Sequence, residues 1–330
     1  MSPLARRAAM LALTALVLYG VAPAIAEVLG AWPQVRDLKP WWLAVMVLAE
    51  VASCWCLWEL QALSIGTHDT TAVATSQLAG GALGRVIPGG AATATATQYN
   101  MLNAADVPRA SIATGLAAAT VLQIAALCLL PALALPAILF GLRVPSTLLE
   151  TAILGLGLFT VMFAIGVAAA GSERTLRWVG RTARTLSDRL PGERHLPEDL
   201  PDRLVQQRDA VVERLGDRLL YAAGAAVGRW LFDLLALVTA VTAVGAHPRF
   251  SLVLLAYVAA QLLAQIPLTP GGIGVVEAGL TATLVLAGVG GGDAAVATLA
   301  YRLVSYWLML PAGLVAWLVH RRRRALAAVP

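Results

Sequence analysis

Ile266-Pro267-Leu268-Thr269-Pro270-Gly271-Gly272-Ile273-Gly274-Val275-Val276-Glu277 places two prolines, three glycines and a carboxylate inside an otherwise apolar region of membrane-spanning length. Proline removes a backbone donor and clashes with the preceding turn, and clustered glycines weaken what remains, so a helix breaks here. Hydrocarbon tolerates broken backbone only where protein or a watery cavity covers it. A carboxylate at that depth is costly and faces a partner or a substrate path. The stretch reads as a broken helix lining a site within a membrane.

The rest of the chain agrees. Its 330 residues are 59% hydrophobic and 13% charged, with a mean hydropathy of +0.75, which points to a polytopic membrane protein rather than a soluble enzyme. Lys39 is the only lysine. Ten arginines lie between Gly171 and Leu219, interleaved with nine acids, and four more form the run Arg321 to Arg324. That interleaving describes a solvated segment and argues against nucleic acid as a partner. Cys54, Cys56 and Cys128 sit in apolar stretches, and residues two apart do not share a helix face, so they read as small core residues. His68, His195, His247 and His320 are far apart, and no spacing calls for a metal or any other cofactor. Neither a nucleotide-binding glycine loop nor a nucleophile with its base is evident, and the expectation is that the chain is not an enzyme.

Residues 8–29 form a first apolar stretch behind Arg6 and Arg7. Ala24-Ile25-Ala26 resembles a cleavage site, but the length and the span that follows at once favour a retained helix. The second, roughly 41–63, opens on Trp41 and Trp42 and carries Glu50 and Glu59 on opposite faces. Residues 72–103, rich in Ala, Thr and Gly, break at Gly84-Arg85-Val86-Ile87-Pro88-Gly89-Gly90 into halves too short to span, the pattern of a re-entrant helical hairpin. Further apolar stretches follow near 110–141, 147–170, 219–244, 250–268, 272–289 and 294–320. Between them, 171–218 reads as a cytoplasmic insertion of two amphipathic helices lying on anionic inner-leaflet lipids. Arginines at both ends place both termini on the cytoplasmic side. The expected fold is all-α and polytopic: about eight transmembrane helices plus the hairpin, in one transmembrane domain over 1–330. A re-entrant 272–289 would change that count.

The two breaks echo each other, and paired Gly/Pro interruptions in corresponding halves point to a transporter's binding site and a pseudo-repeat. Half-helices starting after Pro88-Gly89-Gly90 and after Pro270-Gly271-Gly272 with Gly274 would present backbone N–H groups to a phosphate. Arg85 could add a fork of donors, or simply snorkel to lipid phosphates. Glu277 could pair with Arg302, meet a cationic part of a head group, or carry a proton. Arg229 and Asp233, four apart on one helix, can bridge each other or touch substrate, and Gln98, Tyr99 and Asn100 form a polar cluster that could line the cavity.

Gly84 to Gly90, Pro267 to Glu277, and Tyr301-Arg302 with Trp307 resemble the lysylphosphatidylglycerol synthase transmembrane family, the flippase-like membrane region of the bacterial multiple peptide resistance factor. The likeness covers nearly the whole layout, with the second motif the most distinctive. It implies movement of a phospholipid, or of a polyprenyl-linked lipid, between leaflets. The chain ends at Pro330 without room for a synthase domain, so the transport half alone is expected. Two rival functions remain: a membrane scaffold recruiting partners through 171–218, and a small-solute carrier. A homo-oligomer is compatible with either.

Overall fold

A computed structural model of the chain describes residues 38–87, 90–134, 215–264, 272 and 274–327, with scattered positions between 146 and 213. Helix α1 (Pro40–Ile65) begins on a proline, whose missing N–H costs nothing in a first turn, and ends at Gly66 in the left-handed region. Its 26 residues reach about 39 Å at 1.5 Å per residue, more than the hydrocarbon core of a bilayer. Helices α2 (Thr70–Val86) and α3 (Gly90–Asn103) follow, α2 capped by Asp69, which accepts from the Ala72 N–H at 2.9 Å. Helix α4 (Arg109–Leu129) tightens into a 3-10 turn, Leu130–Ala134, at Pro131.

After the break come α5 (Leu219–Ala243), α6 (Phe250–Ala264), α7 (Val275–Leu286) and α8 (Gly291–Arg302). Helix α8 passes through a π-helical turn, Leu303–Trp307, into α9 (Met309–Ala327). There the Leu308 N–H reaches back five residues to the Leu303 carbonyl at 3.0 Å. The sequence suggested one uninterrupted span near 294–320; the wide turn inside it is a correction, and such turns re-aim the side chains around them.

Four of the described helices are long and apolar enough to cross a membrane: Pro40–Ile65, Arg109–Ala134, Gly216–Ala243 and Gly291–Arg324. Phe250–Leu262 and Val275–Leu286 are apolar but shorter. The expected spans at 8–29 and 147–170 and the amphipathic helices of 171–218 lie outside the described residues, apart from scattered positions. The hairpin expected at 72–103 is present as α2 and α3, joined at Pro88 and Gly89, which also lie outside the described residues.

Polarity runs inside out. Glu50, Ser53, Asp233, Glu277 and Arg302 are buried, while Leu48, Val51, Trp55, Leu220, Leu314 and Val315 face outward with more than half their surface open. Water would penalise that much exposed apolar area, whereas lipid tails match it. This is a multi-pass membrane protein.

Helices α1 and α5 form the most extensive packing: the Ser53 hydroxyl donates to the Arg229 carbonyl at 2.9 Å, and Cys56 lies against Gly228. The hairpin arms close tightly because glycines face each other. A Cβ on Gly84 would stand 2.5 Å from the Gly90 carbonyl oxygen, and one on Gly80 would stand 2.6 Å from that of Ala94. Helix α9 seals the other side of α2, with Gly313 against Leu78 and Ala82.

Candidate functional site

Near the hairpin's turn, α2 meets the π-helical turn that follows α8. The Tyr306 hydroxyl donates to the Arg85 carbonyl at 3.1 Å, and Arg85 Nη2 approaches the Ser305 carbonyl at 3.4 Å. Both Arg302 and Arg85 stand over the Tyr306 ring, at 4.3 and 5.5 Å from its centre. Arg302 Nε donates to Glu277 Oε1 at 2.6 Å, and the other oxygen of Glu277 accepts the Gly274 N–H at 2.8 Å. The first break, the second break and the last span thus converge on one polar cluster. It holds two guanidinium groups and one carboxylate, and no carboxylate ion-pairs with Arg85 among the described residues.

Gly274 sits at φ 79°, a region costly to residues with a Cβ, which is why the turn into α7 needs glycine. Its N–H is already taken. The expectation that the half-helix after the second break offers free donors to a phosphate is therefore corrected at Gly274: Glu277 supplies the anion there. At the first break, Gly90 serves close approach, since a Cβ on it would stand 2.7 Å from the Gly84 carbonyl oxygen. Gly272 is also left-handed, at φ 70°. Pro88, Gly89, Pro270 and Gly271 lie outside the described residues.

A groove of about 990 Å³ opens between α1, α2, α3 and α4. Its walls are alanines with Leu57, Leu116 and Val121, and its polar points are four glutamines, Gln61, Gln77, Gln98 and Gln123, together with Thr95, Tyr99 and Thr120. Gln98 donates to Gln61 at 2.8 Å, and the Trp58 indole N–H donates to Gln77 at 3.1 Å. Gly81 is part of the wall, and a Cβ there would stand 3.2 Å from Arg85 Nη1 and 3.7 Å from Gln77 Nε2. The Arg85 guanidinium therefore borders the groove through Gly81. Apolar walls with neutral hydrogen-bonding groups and one cation at the margin suit an amphiphile whose head carries a phosphate.

A second buried cluster lies between α1, α5, α6 and α8. One carboxylate oxygen of Asp233 accepts from the Tyr257 hydroxyl, from Gln261 at 2.9 Å and from the Tyr301 hydroxyl at 2.8 Å; its other oxygen lies 3.7 Å from Arg229 Nη1. Arg229 donates to Ser53 Oγ at 2.7 Å and covers the Trp230 ring. Glu50, on α1 one turn before Ser53, is likewise buried. Arg229 and Asp233 thus bridge each other in a cluster apart from Glu277 and Arg302.

The sequence singled out Arg85, Glu277 and Arg302, and the structure brings these three together around Tyr306. Of the polar triplet, Gln98 and Tyr99 line the groove, while Asn100 lines a separate cleft with His320, Arg321 and Arg324. Sequence reasoning missed Gln61, Gln77 and Gln123. Each is a lone amide on a different helix, and the one available signal is that glutamine is uncommon in spans of this apolarity. It also missed Tyr257, Gln261 and Tyr301 as partners of Asp233.

Compared with curated proteins, the chain has no significant match. The family model for the lysylphosphatidylglycerol synthase TM region matches residues 7–313. With nearly the whole chain covered, the protein belongs to the lysylphosphatidylglycerol synthase transmembrane family.

Proposed function

We propose that this protein binds a phosphate-bearing lipid and moves it between the leaflets of the bacterial inner membrane, acting as a transporter without chemistry of its own. The observation that carries the reading is the groove with Arg85 at its margin: acyl chains would lie along the alanine walls, the glutamines would bond the polar head, and Arg85 would meet the phosphate. Either a phospholipid or a polyprenyl-linked lipid fits this chemistry. The 171–218 stretch, the arginines at 321–324 and Arg6 with Arg7 would face anionic lipids on the cytoplasmic side, and both termini would then lie inside.

Native mass spectrometry of the purified protein tests this directly. Wild type should retain one phosphate-bearing lipid class, and Arg85→Ala should lose it. Retention of bulk membrane lipid alone, unaltered by the substitution, would sink the reading and favour a scaffold working through the cytoplasmic insertion.

A further inference from the structure

Helix α2 packs against both α3 and α9, and between those two a cleft of about 440 Å³ opens. From α3 it takes Thr97, Asn100, Met101 and Ala104. From α9 it takes Trp317, His320, Arg321 and Arg324. Both sets follow the i, i+3, i+4, i+7 spacing that keeps residues on one face of a helix. The groove uses a different face of α3, through Ala94, Thr95 and Gln98. Arg85 lies at the hairpin's turn, by the N-terminus of α3, whereas the cleft runs along its C-terminal half. The two cavities are separate.

The cleft has the chemistry of an anion site. Its charged lining is the two guanidinium groups of Arg321 and Arg324, and no carboxylate lines it among the described residues. Neither arginine makes an ion pair among the described residues, and Asp69, at the start of α2, is engaged by Arg323 at 3.4 Å. The Arg321 guanidinium stands 4.7 Å from the centre of the Trp317 ring, a contact that positions the cation without using its N–H donors. His320 lines the same cleft and is 7% exposed, and its Nε2 is buried with no hydrogen-bond partner among the described residues. Buried polar atoms are nearly always bonded, so an unpaired ring nitrogen beside two guanidinium groups marks a place for an acceptor.

The surroundings of the cleft are those of a lipid. Leu314 lies seven residues before Arg321 on the same side of α9, and it is exposed together with Val315, Trp317 and Leu318. An exposed indole one turn before a run of arginines marks a membrane interface, with the apolar turns in hydrocarbon and the cations at head-group level. We propose that this cleft is a second lipid site, which holds the phosphate of an anionic phospholipid at the interface while its acyl chains run past Leu314. Arg321 and Arg324 meet the phosphate through charge-assisted hydrogen bonds, His320 adds its ring N–H, and Asn100 and Thr97 bond the hydroxyls of the head group. A zwitterionic lipid fits less well, because its cationic end finds no carboxylate in the lining. Bound there, the lipid bridges the hairpin arm α3 to the last span. The site lies outside the proposed transport path and does not depend on the groove.

Titration of the purified full-length protein with dioctanoyl phosphatidylglycerol and with dioctanoyl phosphatidylcholine tests it, with bound lipid counted by native mass spectrometry. Each comparison is made in wild type and in Arg85→Ala protein, which keeps the groove out of the count. Phosphatidylglycerol should bind about ten-fold tighter than phosphatidylcholine, and Arg85→Ala should keep that binding. Arg321→Gln combined with Arg324→Gln should weaken it about ten- to hundred-fold, and Tm should hold because both side chains are exposed. Ala104→Phe fills the cleft from α3 without changing the charge, and it should weaken binding as well. Equal binding of the two lipids, or no loss in the double arginine variant, overturns the site. Wild-type binding in folded Ala104→Phe protein would reduce the effect to diffuse charge attraction and overturn it too. Displacement of phosphatidylglycerol by inorganic phosphate at equal concentration would make this a site for soluble anions and overturn the lipid. Loss on Arg85→Ala alone would assign the bound lipid to the groove and overturn the cleft. Loss confined to the arginine pair and Ala104→Phe upholds the cleft, whatever becomes of the transport reading.

Discussion

Tyr301 and Arg302 are consecutive on α8 yet serve different clusters: the phenol donates to Asp233 at 2.8 Å, and the guanidinium donates to Glu277 at 2.6 Å. Neighbours on a helix point about 100° apart, so one turn of α8 reaches both polar groups at once. The π-helical turn begins at the next residue and swings Tyr306 beneath Arg302. A shift in this turn would be felt at Asp233 and at Arg85 together, which gives the two clusters a common mechanical element.

The Glu277–Arg302 pair is the first point to test. Both side chains are about nine-tenths buried, so removing one partner strands a charge in the interior. Glu277→Leu alone should cost about 3–5 kcal/mol of stability. Glu277→Leu combined with Arg302→Met should recover most of that loss, because an apolar pair of similar size needs no balancing charge. Thermal unfolding in detergent checks this, and equal Tm values for wild type and the single variant would show that the pair is not buried in the working protein. Lipid movement should stay lost in the recovered double variant if the pair also serves transport.

Arg85 should behave in the opposite way. Among the described residues its guanidinium makes one long hydrogen bond, at 3.4 Å, and no ion pair. Arg85→Ala should leave the unfolding free energy within about 1 kcal/mol of wild type and weaken phosphate-lipid binding about ten- to hundred-fold, the worth of a charge-assisted hydrogen bond. Arg85→Lys should recover part of the affinity, since it keeps the charge and loses the planar fork. Titration of labelled lipid against each variant reads the difference.

Much of this was legible in the sequence, for identifiable reasons. Proline and glycine act locally, so the break at Gly84 to Gly90 and the break before Glu277 show without knowledge of any neighbour. A buried arginine and a buried glutamate in one apolar chain need each other, so Glu277 and Arg302 could be matched as candidates. The rotation of each helix about its axis is set by packing and is invisible in hydropathy. For that reason the partners of Asp233 on α6 and α8, and the three further glutamines that join Gln98 in lining one groove, emerge only once the helices are assembled. The π-helical turn has no composition signal in Leu303-Val304-Ser305-Tyr306-Trp307, and its effect on Tyr306 could not be read in advance.

The hairpin should depend on its glycines for packing rather than for ligand contact. A Cβ on Gly84 would collide with backbone of α3, at 2.5 Å from the Gly90 carbonyl oxygen, where nothing flexible can yield. Gly84→Val should therefore separate the arms and cost more than about 2 kcal/mol, well above an ordinary surface substitution. The yield of folded protein and its Tm are the readouts, and wild-type values for both would show that the arms are further apart than this packing implies.

Gly81 offers the sharpest separation of stability from function. It lies within α2, where glycine costs roughly 0.5–1 kcal/mol relative to residues with a side chain. A Cβ there meets only the ends of Arg85 and Gln77, at 3.2 and 3.7 Å, both flexible enough to give way. Gly81→Leu should thus fold as well as wild type or better, with Tm unchanged or raised. The new side chain would nevertheless fill the groove between Gln77 and the Arg85 margin, where the lipid head is proposed to lie. Labelled-lipid movement in vesicles should then fall by an order of magnitude or more while the protein stays folded. Full activity in a stable Gly81→Leu protein would mean the head group travels elsewhere, and the groove would lose its place in the transport path.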